Sequence, residues 1–298
     1  MLSTSILAPL SLILAATVWG LVWYPYRLLE IAGLSGSVSS LLTYLLGLPF
    51  LVWLAYRARA SSRNERGLLL AMALTAGWTN LAYVLAVIHG EVMRVLLLFY
   101  LAPLWTLLFA WLLLGEKAGR VAYLVIALSV AGAYVMLSGG EGLPLPSNQA
   151  EWLGLSAGVG FALSNVLTRK ISSAPIELRA LWVFAGVASL SALNAFYEGN
   201  LSQVAQVVLT LDIWAWLMLA GIALVLLLAT FTVQYGLAHT PANRAIVILL
   251  SELVVAAVAS RILAGEAMDA NEWIGGAMIV AATLFSGNLE PKTEQKND

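Results

Sequence analysis

The 298-residue chain contains no cysteine and few charged residues. The absence of cysteine excludes a disulfide framework, a thiolate nucleophile and a cysteine-ligated metal site. Asp, Glu, Lys and Arg make up 10% of the residues, whereas hydrophobic residues make up 61% and the mean hydropathy is +0.90. In a soluble domain about a quarter of the residues are charged. So much apolar surface cannot be hidden in one water-soluble core, and we expect lipid to be the main solvent.

Several functional motifs are also missing. The sequence has no GxxxxGK[ST] phosphate-binding loop, which excludes a self-contained ATP drive, and no HExxH motif or Cys/His cluster that would ligate a metal. No basic, aromatic patch indicates nucleic acid, and the net charge of −1 favours no class of partner. We therefore expect no catalytic residues, no cofactor, no metal and no nucleic-acid partner.

The chain is instead rich in continuous apolar runs about 20 residues long. Backbone groups in a bilayer must pair within a helix or a closed barrel, and barrel strands would alternate apolar and polar residues, which these runs do not. No Lys or Arg precedes the first run, so we interpret it as a retained span rather than a signal peptide. The prediction is an all-α integral membrane protein with ten transmembrane helices, at residues 6–26, 36–56, 67–88, 92–114, 120–138, 151–170, 178–197, 213–237, 243–264 and 271–288.

Lys and Arg are unevenly distributed between the two sides of this predicted bundle. With the N-terminus in the cytoplasm, the inner side holds 12 of them and the outer side holds 3, namely Arg27, Arg94 and Arg261. The positive-inside rule therefore predicts that both termini are cytoplasmic.

The only two histidines, His89 and His239, stand 150 residues apart. Other residues recur at the same spacing: Arg94 and Arg244, Leu113 and Leu263, and Gly115-Glu116 and Gly265-Glu266. This register indicates two related halves. Since each half has five predicted helices, the second half enters the membrane upside down, and such a pair is expected to enclose a central cavity and to act as a transporter. The predicted parts are a first repeat at 1–138 (helices 1–5), an external linker at 139–150, a second repeat at 151–288 (helices 6–10) and a cytoplasmic tail at 289–298.

Glu252 is a carboxylate placed near the bilayer centre by the predicted ninth helix, and its repeat mate is Ala102. Such residues usually face a polar cavity or a partner, because an isolated charge in lipid is costly. The functional interpretation is that Glu252, with the adjacent Ser251, binds a substrate ammonium group or titrates to couple transport. The structural alternative is a pair with Arg27 or another arginine at a helix end.

Aromatic and polar side chains at membrane depth suggest a neutral, aromatic-lined pocket around this carboxylate, because their polar tips prefer a cavity to lipid. The alternative is interhelical hydrogen bonding without a pocket. The predicted substrate-binding residues are Trp19, Trp23, Trp78, Asn80, Tyr83, Tyr100, Ser164, Asn165, Gln234, Ser251 and Glu252.

Small residues and prolines suggest how the helices pack and bend. Pro25 and Pro103 each remove an intrahelical hydrogen bond and are candidate hinges. Small residues at matching places in helices 5 and 10 predict a clamp between the halves, although such residues are common in membrane helices. These are Ala127, Ala131, Ala277 and Ala281, to which Gly132, Gly275 and Gly276 are added.

The charged residues at helix ends have structural interpretations. We expect Arg94 to reach towards the membrane interface, with Glu91 as an ordinary partner three residues earlier. Glu116 and Glu266 are expected to open the helices that follow them, where negative charge is favourable.

The segment LAPLWTLLFAWLLLGEK, from Leu101 to Lys117, and Trp19-Gly20 in helix 1 resemble the drug/metabolite transporter superfamily, EamA type. The second copy, SELVVAAVASRILAGEA from Ser251 to Ala267, keeps Gly265-Glu266 but has no proline equivalent to Pro103, which argues against a symmetric hinge. Together with the duplication, the resemblance covers residues 6–288.

This resemblance implies a central cavity lined mainly by helices 1, 3, 4, 6, 8 and 9, alternating access, and a bacterial inner-membrane location. The nearest likeness is to exporters of aromatic amino acids that also export methyl viologen. Planar rings would stack on the aromatic lining, and cations would bind it through cation–π contacts. The alternative is a broad exporter of drugs or other metabolites, while a membrane enzyme or a passive pore is less favoured. Because both halves are fused, we expect the monomer to function alone in the lipid bilayer.

Overall fold

The computed structural model describes residues 4–58, 65–115, 120–137, 145–171, 174–199, 204, 209–240 and 248–286. All regular secondary structure in these residues is helical. Six helical stretches in these residues are long and apolar enough to cross a membrane: Ile6–Ile31, Gly36–Arg57, Arg66–His89, Val92–Leu114, Ile176–Tyr197 and Ile213–Val233. Two shorter apolar helices, Val121–Leu137 and Ala270–Phe285, accompany them. The chain is therefore a multi-pass membrane protein, as its composition predicts.

Within the described ranges the helices alternate with short connections. They are α1 (Thr4–Leu21), α2 (Trp23–Ile31), α3 (Gly36–Arg57), α4 (Arg66–His89), α5 (Val92–Phe99), α6 (Ala102–Leu114), α7 (Arg120–Leu137), α8 (Gln149–Lys170), α9 (Ile176–Tyr197), α10 (Ile213–His239), α11 (Ser251–Ala259, continued by a π-helical turn, Ser260–Ala264) and α12 (Ala270–Ser286). We call the face where α2, α4 and α9 end and α3, α5, α8 and α12 begin the external face, after the orientation that the charge distribution predicts.

Two predicted spans are interrupted. The first predicted span breaks at Val22, between α1 and α2, and the fourth breaks at Tyr100 and Leu101, between α5 and α6. Each break begins three residues before a proline, Pro25 or Pro103. Proline has no amide hydrogen for the carbonyl four residues earlier, and its ring collides with that carbonyl, so the helix cannot continue regularly. Movement at these breaks stays a prediction.

A third break lies at Leu250, directly before α11. This position is the repeat mate of Tyr100, 150 residues later, although no proline follows it. A break therefore occurs at both repeat-equivalent positions, and the expectation that the two are not symmetric hinges stays a prediction. The Leu253 amide donates a hydrogen bond of 3.1 Å to the Leu250 carbonyl, so a tight turn starts α11 without proline.

Contacts between the described helices of the two halves come in related pairs. In the first pair, α4 packs against α8, and α10 packs against α1. In the second pair, α5 and α6 pack against α8, and α11 packs against α1. In the third pair, α4 packs against α9, and α10 packs against α3. Exchanging each helix for its counterpart in the other half converts one member of a pair into the other. The counterparts α7 and α12, and α3 and α9, pack directly on each other. A two-fold relation between halves produces this pattern.

The interface between α7 and α12 uses glycines of the predicted clamp rather than its alanines. A methyl group added at Gly132 would lie 2.8 Å from the Gly275 carbonyl, so the backbones meet at these glycines. The alanines of the predicted clamp turn away from this contact, because one residue of register rotates a helix by 100°. Ala127 and Ala277 are exposed, and Ala131 and Ala281 are half-buried.

Candidate functional site

The two halves meet through a hydrogen bond near the middle of the helices. The Tyr100 hydroxyl donates to Oε2 of Glu252 at 3.0 Å. Tyr100 lies in the break between α5 and α6, and Glu252 lies in the first turn of α11, just after the break at Leu250. A carboxylate in the first turn of a helix is stabilised by the unpaired amide groups and by the helix dipole there. The two breaks thus bring a phenol and a carboxylate together where the two halves meet.

Glycines hold the neighbouring helices close to this contact. A methyl group at Gly20 would lie 2.9 Å from the Glu252 carbonyl, and one at Gly158 would lie 2.6 Å from the Phe99 carbonyl. Helix α1 therefore packs on the start of α11, and α8 packs on the end of α5. Small residues allow this close approach of backbones in lipid.

Four aromatic rings surround the Tyr100 side of the contact. The ring centroid of Phe99 lies 5.9 Å from Tyr83, 6.0 Å from Tyr100 and 5.2 Å from Phe161. We call Tyr83, Phe99, Tyr100 and Phe161 the aromatic cluster. The sequence analysis named the two tyrosines but missed the two phenylalanines. The position of Phe161, one helical turn before Asn165 on the same face of α8, was a signal for it.

Two hydroxyl groups near Glu252 have no hydrogen-bond partner among the described residues. These are the Tyr83 hydroxyl and the Ser251 hydroxyl, and both oxygen atoms are buried. The Tyr83 hydroxyl also lies within electrostatic range of Glu252. A buried hydroxyl without a partner is costly, so these groups are suited to bind the polar part of a solute.

Two residues predicted to bind substrate have partners within the protein for their polar groups. Trp23 is fully buried, donates its ring N–H to the Gly20 carbonyl at 2.9 Å, and has the Arg27 guanidinium 4.9 Å from its ring centroid. Asn80 accepts a hydrogen bond of 2.5 Å from Tyr44 and donates one of 3.0 Å to its own helix. Since both side chains use polar groups within the protein, their part in binding a substrate stays a prediction.

The other predicted pocket residues are spread more widely. Trp78 is 42% exposed and donates its ring N–H to Ser156 at 3.3 Å. Trp19 is half-buried, Ser164 is buried and Asn165 is exposed. The side chain of Gln234 and the whole of Arg244 lie outside the described residues. The geometry therefore brings together Tyr83, Tyr100, Ser251 and Glu252, rather than the whole predicted set.

Arg94 forms a charged bridge at the external face. Its Nε donates to Glu151 at 2.9 Å and its Nη1 to Glu272 at 3.1 Å, and the side chains of these glutamates are only 4% and 6% exposed. The expectation that Arg94 reaches for the membrane interface with Glu91 as its partner was wrong. Two carboxylates from the second half attract the guanidinium more strongly than one exposed neighbour does, because burial reduces solvent screening.

Arg27 forms a second bridge beside the first. It donates to the carbonyls of Val87 at 2.7 Å and Gly90 at 2.5 Å, and to Oε1 of Glu266 at 3.0 Å. The other oxygen of Glu266 accepts the Val92 amide at 2.8 Å, which caps the start of α5. The described partner of Glu252 is Tyr100, so the proposed ion pair between Glu252 and Arg27 does not form.

A cavity of about 280 Å³ adjoins these bridges and is lined by Met93, Ser260, Arg261 and three glutamates. Two of the glutamates, Glu266 and Glu272, belong to the bridges, and the third is Glu91. Burial and the neighbouring carboxylate of Glu272 raise the pKa of Glu91, although Arg94 opposes the shift. In the part of the chain that the structure describes, no three His, Asp or Glu side chains are grouped to hold a metal ion.

The chain is similar in sequence to known transporters. The sequence profile of the EamA-like transporter family matches residues 6–138 and again residues 148–287. An uncharacterized transporter of Archaeoglobus fulgidus is 25% identical over 260 residues, which cover 86% of this chain and 89% of the relative. The pseudopaline exporter CntI of Pseudomonas aeruginosa is 24% identical over 260 residues, which cover 86% of this chain and 84% of the exporter.

A solved crystal structure, described only as that of a protein, shares the fold. It matches with a TM-score of 0.57 and 18% sequence identity, and the match covers 93% of this chain and 95% of that one. At this identity the likeness concerns the arrangement of helices and carries no information on substrate.

Proposed function

The chain belongs to the EamA-like transporter family of the drug/metabolite transporter superfamily, and we propose that it exports aromatic amino acids and related amphipathic compounds by alternating access. A family of transporters implies a small-molecule substrate and a lipid environment. The finer parts of the proposal are the substrate class, the direction, and a location in the bacterial inner membrane with both termini cytoplasmic. Export is driven by solute or ion gradients, and the monomer is the working unit.

The proposed architecture is ten helices in two inverted halves, 1–138 and 151–288, joined by an external linker at 139–150 and followed by a cytoplasmic tail at 289–298. Three observations support it. The family profile matches twice, the contacts between described helices are related by exchange of the halves, and positive charge is concentrated on one side. Two such halves can rock against each other around a site between them.

The observation that carries the substrate proposal is the hydrogen bond between Tyr100 and Glu252 beside the aromatic cluster. In the proposed mechanism the carboxylate binds the ammonium group of the solute. The side chain of the solute stacks on the rings of Phe99 and Phe161. The hydroxyls of Tyr83 and Ser251, which lack described partners, bind the remaining polar atoms of the solute. A carboxylate and an aromatic surface side by side are the two features that an aromatic amino acid requires.

A second candidate is the export of other metabolites or drugs with the same fold. The observation that favours it is the relative in Pseudomonas aeruginosa, which is a pseudopaline exporter and is similar to this chain along 86% of its length. The two candidates differ in whether the aromatic ring is required for transport.

The test is flux into proteoliposomes that contain the purified protein. We expect saturable uptake of labelled phenylalanine, measured with and without a proton gradient, and competition by other aromatic amino acids. If phenylalanine is not transported under either condition, the substrate proposal is wrong. Stronger competition by methyl viologen or by non-aromatic metabolites than by aromatic amino acids would favour the second candidate.

The role of Glu252 is tested with pairs of ligands that differ in one group. In Glu252→Gln we expect the affinity for phenylalanine to fall by about tenfold or more, because a charge-assisted hydrogen bond to the ammonium group is lost. Competition by 3-phenylpropanoate, which has no amine, should remain the same. The matched control is Glu177→Gln, which removes a carboxylate from the first turn of α9. An equal fall in the affinity for phenylalanine and for 3-phenylpropanoate would show that Glu252 has only a structural role.

A further inference from the structure

The arginine–glutamate ion pairs that the structure describes at the external face divide by sign between the two halves. Both arginines, Arg27 and Arg94, belong to the first half, and all three acceptor glutamates belong to the second. We call Arg27, Arg94, Glu151, Glu266 and Glu272 the external latch. Every ion pair of the latch therefore crosses from one half to the other, and each would be broken if the halves separated at this face.

The latch is mechanically connected to the candidate site. Arg94 lies on α5 six residues before Tyr100, which places it about 9 Å further out along the same helix. Glu266 follows α11, the helix that begins at Ser251 and Glu252. Between them lies the π-helical turn Ser260–Ala264, and turns of this kind are frequent at functional positions in helices. The latch thus holds the external ends of both helices: Arg94 ties α5 to Glu151 and Glu272, and Glu266 ties the end of α11 to Arg27.

The chemistry of the latch suits repeated opening. Apolar surfaces that separate lose their stabilisation in water, whereas separated charges are hydrated and recover much of what the ion pair provided. The cavity of about 280 Å³ that is lined by Glu266 and Glu272 gives water a place next to the latch. Because hydration offsets the loss of the pairs, the closed and open arrangements can remain similar in free energy.

We infer that the external latch is the gate that closes the external route to the site, and that its ion pairs set how often this route opens. The inference rests on the proposed function, since a gate has meaning only in a transporter. The structure represents the state with the latch closed. Weakening any pair across the halves shifts the population towards the externally open state.

The absence of cysteine from the chain makes this gate directly testable. Ser251→Cys places one thiol beside Glu252, below the latch, in an otherwise thiol-free protein. Cells that express it are treated with a membrane-impermeant maleimide, and the rate of labelling from outside is measured without added substrate. We expect Glu272→Gln and Glu266→Gln each to accelerate labelling about tenfold, since a coupling of this size is typical of conformational switches.

A matched control distinguishes the latch from external charge in general. Glu30 and His89 approach to 3.6 Å at the same face, but both belong to the first half. Glu30→Gln should therefore leave the labelling rate unchanged. Arg27→Lys provides a second latch variant that keeps the charge, but lysine cannot reproduce the fork that binds two carbonyls and Glu266, so labelling should again accelerate.

The inference is overturned if the folded latch variants are labelled no faster than their parent, or if Glu30→Gln accelerates labelling equally. Folding is checked by size-exclusion chromatography, and Arg27→Lys decides the outcome if the glutamine variants do not fold. Labelling needs no substrate, so faster labelling in a protein that does not transport phenylalanine supports the gate and contradicts the substrate proposal. Transport of phenylalanine by a protein whose latch variants are labelled at the parent's rate supports the substrate proposal and contradicts the gate.

Discussion

Tyr100 of the first half donates a hydrogen bond of 3.0 Å to Glu252 of the second half, and each residue lies at an interruption of its helix. A chain with continuous fourth and ninth helices would present neither group in this way. The contact therefore depends on two helix breaks at repeat-equivalent positions, of which only the one near Pro103 has a proline.

The first prediction concerns the strength of this contact. Tyr100→Phe should lower the free energy of unfolding by about 1–3 kcal/mol, because a buried carboxylate loses its hydrogen-bond donor. In a double-mutant cycle with Glu252→Gln, the two substitutions should be non-additive by about 1 kcal/mol. Unfolding in mixed micelles measures these values. Tyr83→Phe is the control, since the Tyr83 hydroxyl has no partner among the described residues and its removal should cost little. Additive effects of Tyr100 and Glu252 would contradict the prediction.

The second prediction concerns the close packing of α7 and α12. Gly132→Ala should lower the free energy of unfolding by about 1–3 kcal/mol, because the added methyl group has no space beside the Gly275 carbonyl. Gly221→Ala is the matched control, since a methyl group there meets no atom within 4 Å. That substitution should be neutral or stabilising by about 0.4–1 kcal/mol. Thermal unfolding in detergent compares the two, and equal melting temperatures would show that the interface tolerates separation.

The third prediction concerns pH. The pKa of Glu91 is raised in the folded protein, so folding is favoured by its protonation, and this contribution is lost as the pH rises through the folded pKa. At neutral pH the ionised carboxylate therefore opposes folding. We expect Glu91→Gln to melt at a higher temperature than the parent at pH 7, with a gap that closes as the pH falls towards about 4. Glu266→Gln, which breaks an ion pair, should melt lower at pH 7. A constant gap for Glu91→Gln at all pH values would exclude a titration effect.

The fourth prediction concerns the proposed hinge. In Pro103→Ala the helix recovers an amide donor, so the break at Tyr100 and Leu101 should be stiffer and the transport rate lower, without loss of stability. The initial rate of flux and the melting temperature measure the two effects separately. Thr106→Ala is a control in the same helix, because its hydroxyl bonds only to the Ala102 carbonyl among the described contacts. An unchanged transport rate in Pro103→Ala would contradict the proposal that this break is a hinge.

The sequence is sufficient to predict the helical membrane fold, because lipid permits few alternatives and apolar runs are local features. It also placed Glu252 and Tyr100 at membrane depth, since depth follows from the count of residues along a helix. The orientation of a face is harder to predict, because a shift of one residue rotates a side chain by 100°. For this reason the predicted clamp combines alanines and glycines on neighbouring positions, whereas the contact lies at Gly132 and Gly275 and the side chains of Ala127 and Ala277 are exposed.

Contacts between residues that are distant in sequence were the main feature that the sequence did not predict. Arg94 was matched with Glu91 because they are three residues apart, but its carboxylates are 57 and 178 residues away. Asn80 was assigned to the pocket for its polarity, yet Tyr44 on another helix uses its oxygen. A single sequence gives the types of residue that need a partner, and the packing of the helices decides which partner each one finds.

The cap that Glu266 places on α5 has a consequence for how the protein is made. The amide of Val92 donates to Glu266, 174 residues later in the chain, and Arg94 donates to Glu272, 178 residues later. During synthesis the amino-terminal half thus leaves the ribosome with Arg94 and the Val92 amide lacking their acceptors, and with Arg27 bound to the carbonyls of Val87 and Gly90 but lacking its carboxylate partner. Its assembly is completed only after the last helix has been inserted, so truncated chains should be recognised by quality control as unfinished.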